Sequence, residues 1–315
     1  MTTVVELPAL DGRNPLGFLA ALGLLRTLDA DGVGPLQMSF SRQSAAACLH
    51  SPLTSADEIA DTLQGLIARS PGAAIAGLDP RFPFPAGRGS DPMRRPREDF
   101  AGLVEEVRTL DERAATDWLP FLFTDLAIDS QGRADLTPFC APSGKQNLRT
   151  FFDKPLSAVR SEPSRLREAL TMWRRVDGFT GEYLDHRVIN SAADDPGGRA
   201  GAERGVPGAT WLATMALPLL RVTGDGEQIT ATLWHRTGRR LIMIWPLWHQ
   251  PLDLPAVQVM IGHPCLVPVD SKPTVRSGSW EALGIFAVYG AERQQIHRRK
   301  FAGVLAPCPI AVEPG

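Results

Sequence analysis

Lys145 and Arg149 stand four residues apart in "CAPSGKQNLRTFF" (140–152), directly after a Ser143-Gly144 pair. Residues four apart share one side of a helix, and a small-residue turn that opens a helix presents free backbone N–H groups to an anion. Ser143, Gly144, Lys145 and Arg149 are therefore expected to hold one or two phosphates of a nucleic-acid backbone. Nucleotide hydrolysis is not expected. A phosphate loop needs an earlier glycine, where Phe139 stands, and a hydroxyl residue after the lysine, where Gln146 stands. The competing reading is an ordinary capped helix with solvated charges.

Two further runs carry cations. "DDPGGRAGAERGVPG" (194–208) offers Arg199 and Arg204 on a glycine-rich loop, and such loops can order against a nucleic acid and release counterions. "QQIHRRKF" (294–301) holds Arg298, Arg299 and Lys300 in the densest basic run, which clustered at one end of a strand-loop-strand would follow a phosphate chain. These patches are local, because the formal net charge is −2. Arginine supplies most of the cations, 29 Arg against four Lys among 33, and its planar fork reads phosphate in two-pronged fashion.

The parts for catalysis stay loose. "YLDHRVIN" puts Asp185, His186 and Arg187 side by side, and adjacent strand residues face opposite ways. A metal-dependent hydrolase would have to gather Asp185, Asp194 or Asp195 with His186, and this is the main alternative function. There is no nucleophile elbow and no paired-histidine metal motif. The four cysteines (Cys48, Cys140, Cys265, Cys308) are scattered. His50 and His263 each lie two residues from one of them, but the tight pairs of structural zinc sites are missing. Free thiols in a reducing cytoplasm are expected, with no catalytic set, no metal and no cofactor. Trp245 and Trp248 in "IWPLWHQPLDLP" could stack bases, but between apolar segments and prolines they read as core and edge-strand termination.

The elements that must position these residues begin at "LDGRNPLGFLAALGLLRTLD" (10–29). Its apolar-or-small run, Leu16 to Leu25, is about half the ~20 residues a bilayer span needs, and the acidic flanks do not suit a secretory signal. Asn14 as N-cap, Pro15 in the first turn and leucines at helical spacing predict a buried helix instead. A short strand precedes it at "VVELP" and another follows at "GPLQMSFS". Residues 55–70 predict an amphipathic helix, and 71–97, rich in proline and glycine, an exposed extended loop. Helix is expected from "REDFAGLVEEVRTLDERA" through "WLPFLFTDLAI". A further helix is expected over 163–176, its arginines (165, 167, 174, 175) spread over solvated sides. A buried helix is expected at "ATWLATMALPLL". Beyond it, turn signals at Gly224–Gly226 and Thr237–Gly238 predict an antiparallel meander. A helix at "LPAVQVMIG" and strands at "ALGIFAVYG" and "KFAGVLAPCPIAV" complete the reading.

The fold class is thus α+β, with a helix-rich N-terminal half and a strand-rich C-terminal third. A helix-rich lobe over 1–193, a flexible connection over 194–208 and a mixed, strand-rich lobe over 209–315 are expected, the alternative being one compact domain.

Three stretches, "LDGRNPLGFLAALGLLR", "SGKQNLRTFF" and "GVPGATWLATMALPLLR", resemble in order segments of protein families found with type I CRISPR systems of the G subtype, formerly called U. They cover roughly fifty residues, a sixth of the chain. The resemblance implies a non-catalytic accessory or large-subunit-like component of a Cascade-type effector complex. Its implied partners are other effector subunits and guide RNA or target DNA, with no membrane. In such complexes base pairing reads sequence, and the protein supplies backbone contacts. The acidic overall balance and modest size depart from the expected pattern and favour a role docked on other subunits. A pure protein-interaction scaffold is the remaining alternative.

Overall fold

The first helix, α1 (Pro15–Ala30), forms as its cap residues dictate. The Asn14 side chain accepts from the Leu16 N–H at 2.8 Å, and Pro15 opens the helix. Nearly all of α1 is buried, from Pro15 to Leu28, with Arg26 the main break in the apolar surface. Its small residues let other backbone come close, as expected. An added Cβ at Gly17 would lie 2.3 Å from the Asp11 carbonyl oxygen, and one at Gly23 1.7 Å from that of Leu212. Leu212 belongs to α8 (Pro207–Met215), a second helix buried along its whole length. A computed structural model gives this architecture for residues 2–86, 91–140, 147–189, 203–269, 272–295 and 303–315.

Two antiparallel sheets flank the α1–α8 pair. One is formed by β1 (Thr3–Asp11), β2 (Gln37–Phe40) and β3 (Ala46–Ser51), in the order β1-β3-β2. The other is the expected meander, β10 (Trp234–Thr237), β11 (Arg240–Trp248), β13 (Ile285–Gln294) and β14 (Val304–Cys308), in that order. The foreseen turns close β10–β11 and a smaller hairpin, β8 (Val222–Gly224) with β9 (Ile229–Ala231). Indole hydrogen bonds join the two sheets: Trp245 Nε1 donates to the Gly12 carbonyl and Trp248 Nε1 to that of Met38, each at 2.8 Å. Phe18 and Phe40 pack against these rings, with Phe40 edge-on to Trp248 at 5.1 Å. Pro246 is tolerated in β11 because β10 has ended there and only β13 lies alongside.

The remaining helices are α2 (Ala56–Ala68, capped by Ser55), α3 (Phe100–Leu110), α4 (Glu112–Asp117), α5 (Leu119–Leu122), α6 (Leu148–Ser161), α7 (Ser164–Thr171), α9 (Leu254–Ile261) and α10 (Trp280–Leu283). One hydrophobic cluster runs from Leu7 and Leu10 through the α1–α8 contact to Trp245 and Leu305. Strands are concentrated in the C-terminal part of this mixed α+β fold. Among the described residues no helix is long and apolar enough to cross a membrane.

Several local expectations change. The described part of 71–97 is not an exposed loop: Ala73, Ala74, Ile75, Leu78, Phe82 and Met93 are buried. Helix does not continue through "FTDLAI". It stops after α5, and the chain pairs as β4 (Phe123–Ile128) with β5 (Ala134–Leu136), where β-branched and aromatic residues find a partner strand. The helix expected over 163–176 stops at Thr171, where Met172 turns extended (φ −161°). Its arginines are not simply solvated: Arg165 pairs with Glu162, Arg174 with Glu162 and Glu168, and Arg175 with buried Asp185. At the C-terminal end, β15 (Ala311–Glu313) lies outside the meander, parallel to β12 (Thr274–Arg276).

Candidate functional site

Arg293, near the end of β13, organises the region where the basic segments leave the described fold. Its Nη2 donates to the carbonyls of Pro138 (3.3 Å) and Phe139 (2.6 Å), and its Nη1 to those of Tyr183 (3.0 Å) and Gly303 (3.3 Å). Burial pushes its pKa down to about 10, with the Cys140 thiol opposing. The guanidinium thus stays charged at neutral pH, and converging carbonyl dipoles compensate it in place of water. Burial in turn pushes the Cys140 thiol up, away from thiolate.

Arg293 also fixes a strained turn. Gly181 (φ 56°), Glu182 (φ 49°) and Tyr183 (φ 57°) are consecutive left-handed residues, two of them with a Cβ. This turn places Glu182 inside, 1% exposed. The Thr180 hydroxyl donates to its Oε1 at 3.4 Å, and Oε2 is buried without a partner. Burial pushes the Glu182 carboxyl up to about 7, against the pull of Lys154 and Thr180.

Asp185 is equally buried but held differently. Arg175 Nη2 donates to Oδ2 at 2.5 Å, while Oδ1 accepts from the Asn14 amide (3.3 Å) and the Arg187 N–H (3.1 Å). Burial opposes ionisation, but Arg175 outweighs it and holds the carboxyl below its usual range. His186 Nδ1 lies 3.5 Å from the same oxygen, and burial lowers its pKa. Asp185 therefore works as a structural counter-ion that ties the start of α1 to Arg175. Among the described residues no three His, Cys, Asp or Glu side chains gather as metal ligands. Asp194 and Asp195 lie outside the described residues.

Of the residues expected to meet phosphate, Ser143, Gly144, Lys145, Arg199, Arg298, Arg299 and Lys300 also lie outside them. Arg149 and Arg204 are described, and both are engaged. Arg149 Nη1 donates to the Pro83 carbonyl at 2.8 Å. Arg204, in β7 (Arg204–Gly205), pairs with Asp177 of β6 (Val176–Asp177) at 2.8 Å, and its carbonyl accepts from Arg175 at 2.8 Å. The described helix α6 begins at Leu148, with Arg149 in its first turn, and Lys145 lies outside the described residues. Its first amides are already taken. The Asn147 side chain accepts from Thr150 N–H in a capping box, and the Asp91 carboxylate accepts from Leu148 N–H at 2.7 Å.

The residues that flank the basic segments are joined to one another. Arg293 links Phe139, before 141–146, to Gly303, after 296–302. Asp91 and Pro83 link the flanks of 87–90 to Leu148 and Arg149, after 141–146. Ile189 bridges Glu203 across 190–202, and Ile189, Val188 and Tyr183 pack with Val304 and Ala306 of β14. These four segments hold Arg88, Lys145, Arg199, Arg298, Arg299 and Lys300 against Asp194 and Asp195. The anchors Arg293, Arg175 and Asp91 went unforeseen in the sequence. For Arg293 a signal existed, because it shares strand parity with Ile285, Tyr289 and Ala291, an inward position for a cation. The chain matches no protein-family model, and no curated protein matches its sequence.

Proposed function

We propose that this chain is a non-catalytic subunit of a type I CRISPR (Cascade-like) effector complex in the cytoplasm, docked on other subunits and contacting the backbone of guide RNA or target DNA. One observation carries the reading: the described ends of four segments that together hold six cations and two carboxylates are tied into one region, three by Arg293, Asp91 and Arg149 and the fourth by the Ile189–Glu203 bridge and the packing of Ile189 on β14. Cations gathered in a few short segments of a chain of net charge −2 suit local backbone contact rather than binding over the whole surface. The three ordered sequence resemblances supply the effector-complex context. On this reading Lys145, Arg199, Arg298, Arg299 and Lys300 meet phosphate, while Arg149 and Arg204, which bond to Pro83 and Asp177, brace the ends of the segments.

The test is the salt dependence of oligonucleotide binding by the purified complex. Replacing Arg298, Arg299 and Lys300 together by alanine should weaken binding evenly across sequences and flatten the log–log salt slope by about one for each phosphate no longer neutralised. Lys145→Ala should lower the slope by about one, and Arg149→Ala should leave it unchanged. If the triple variant keeps both the wild-type affinity and the wild-type slope, the assignment of these segments is wrong.

A further inference from the structure

Away from the basic segments, three arginines from separate elements line one cavity of about 510 Å³: Arg26 of α1, Arg69 at the end of α2 and Arg113 of α4. Asp31 is the single carboxylate among the described lining residues, and it pairs with Arg69. Among the described residues, neither Arg26 nor Arg113 has a carboxylate in ion-pair contact. Arg26 lies over the Trp118 ring, its Cζ 4.8 Å from the centroid. Stacking uses the face of the guanidinium, and no protein group accepts from its N–H donors among the described residues. Burial lowers its pKa to about 10, so it enters the cavity as a cation. Asp117 and Asp29 favour that charge without pairing with it. Thr27 also lines the cavity, is 1% exposed and has a hydroxyl without a partner.

The same cavity is lined by the apolar residues Leu66, Ala76, Leu78, Pro80 and Met215. The backbone of two further lining residues is held by Arg160, which donates to the carbonyls of Ser70 (2.6 Å) and Ala73 (2.8 Å). The volume falls within the roughly 300–1,000 Å³ of small-molecule sites. Two guanidinium groups without an ion-pair partner among the described residues match the charge of about −2 on a phosphate monoester. The apolar lining residues, with the Trp118 ring, suit a flat or apolar body carrying that phosphate.

We infer that this cavity binds the terminal phosphate and nucleoside of a nucleotide, supplied either free or as the 5′ end of a strand. The inference stands on these lining residues alone and does not rest on the basic segments or on the effector-complex reading.

Calorimetric titration of the full chain with AMP, inorganic phosphate, a short 5′-phosphorylated RNA and its 5′-hydroxyl twin tests it. AMP should bind, and Arg113→Glu and Arg26→Gln should each weaken it at least tenfold. Arg42→Glu, exposed and outside the cavity, should leave it unchanged. Arg113 is itself exposed, so its variant keeps the test valid if Arg26→Gln fails to fold. Binding of the 5′-phosphorylated RNA but not its twin, in competition with AMP, would support the strand end as the source. Binding of AMP alone would support a free nucleotide. No binding of AMP or either RNA at millimolar concentration, inorganic phosphate binding as tightly as AMP, or binding that both cavity variants leave intact would each overturn the proposal.

Discussion

Gly23→Ala is expected to cost about 4 kcal/mol or more and to lower the melting temperature by about 10 °C. The new methyl would sit 1.7 Å from the Leu212 carbonyl oxygen, 2.7 Å from its carbon and 3.1 Å from the Ala216 nitrogen. All three are backbone atoms, so no side chain can rotate away. The α1 and α8 axes must separate, and both helices are buried along nearly their whole length. Overpacking a tight core usually costs ~1–3 kcal/mol, and moving a helix pair that supports both sheets costs more. Gly102→Ala is the matched control. It lies in α3 with nothing within 4 Å of its added Cβ. There alanine should stabilise by ~0.5–1 kcal/mol, because glycine loses more backbone freedom on entering a helix. Thermal melts of the two variants should therefore shift in opposite directions. Equal small shifts would refute the close approach of α1 to α8.

Glu182→Gln should raise stability in alkaline solution and not in acid. The Glu182 carboxyl has a pKa of about 7 in the folded chain against an ordinary 4.5. Between those values the unfolded chain has released its proton while the folded chain still holds it. Stability therefore falls as pH rises from about 4.5 and levels off above about 7. The size of the shift corresponds to about 3 kcal/mol, an order-of-magnitude figure. A neutral amide has no such ionisation. The stability gap between Glu182→Gln and wild type should therefore grow by about 3 kcal/mol from pH 4 to pH 8, measured by urea unfolding at each pH. The growth of the gap is the readout, so any constant cost of the amide in this strained turn cancels. A gap that stays level with pH would show that Glu182 is not buried as described.

Gly23 and Glu182 lie where local sequence and long-range packing diverge in what they reveal. The α1 helix was legible because its causes are local: Asn14 caps it, Pro15 opens it, and its leucines and small residues repeat at helical spacing. The β8–β9 and β10–β11 hairpins were legible for the same reason, since glycine turns sit between β-branched and aromatic runs. The burial of the apolar residues in the described part of 71–97 was not, because they follow no period. Their backbone is satisfied from a distance, by Arg160 on Ser70 and Ala73 and by the Ser70 hydroxyl on Gly77. The candidate site shows the same division. The basic runs stand out in the sequence, whereas their anchoring depends on Arg293 reaching carbonyls more than a hundred residues away. Arg149 shows what composition leaves out: its type and spacing suit a phosphate contact, while its bond to the Pro83 carbonyl is set by chain sixty-six residues away.

Whether this chain works within a nucleic-acid-bound assembly is measured by co-purification from the native host. A tagged chain would be captured and washed at rising salt, with bound RNA scored by length and bound proteins by mass. An RNA of discrete, guide-like length is expected to arrive together with stable partner proteins. The chain alone is expected to hold nucleic acid less tightly than the assembly does, in keeping with its net charge of −2. Partner proteins recovered in full after nuclease treatment, with no RNA or DNA at any salt, would contradict the proposed function and leave a protein-interaction scaffold in its place.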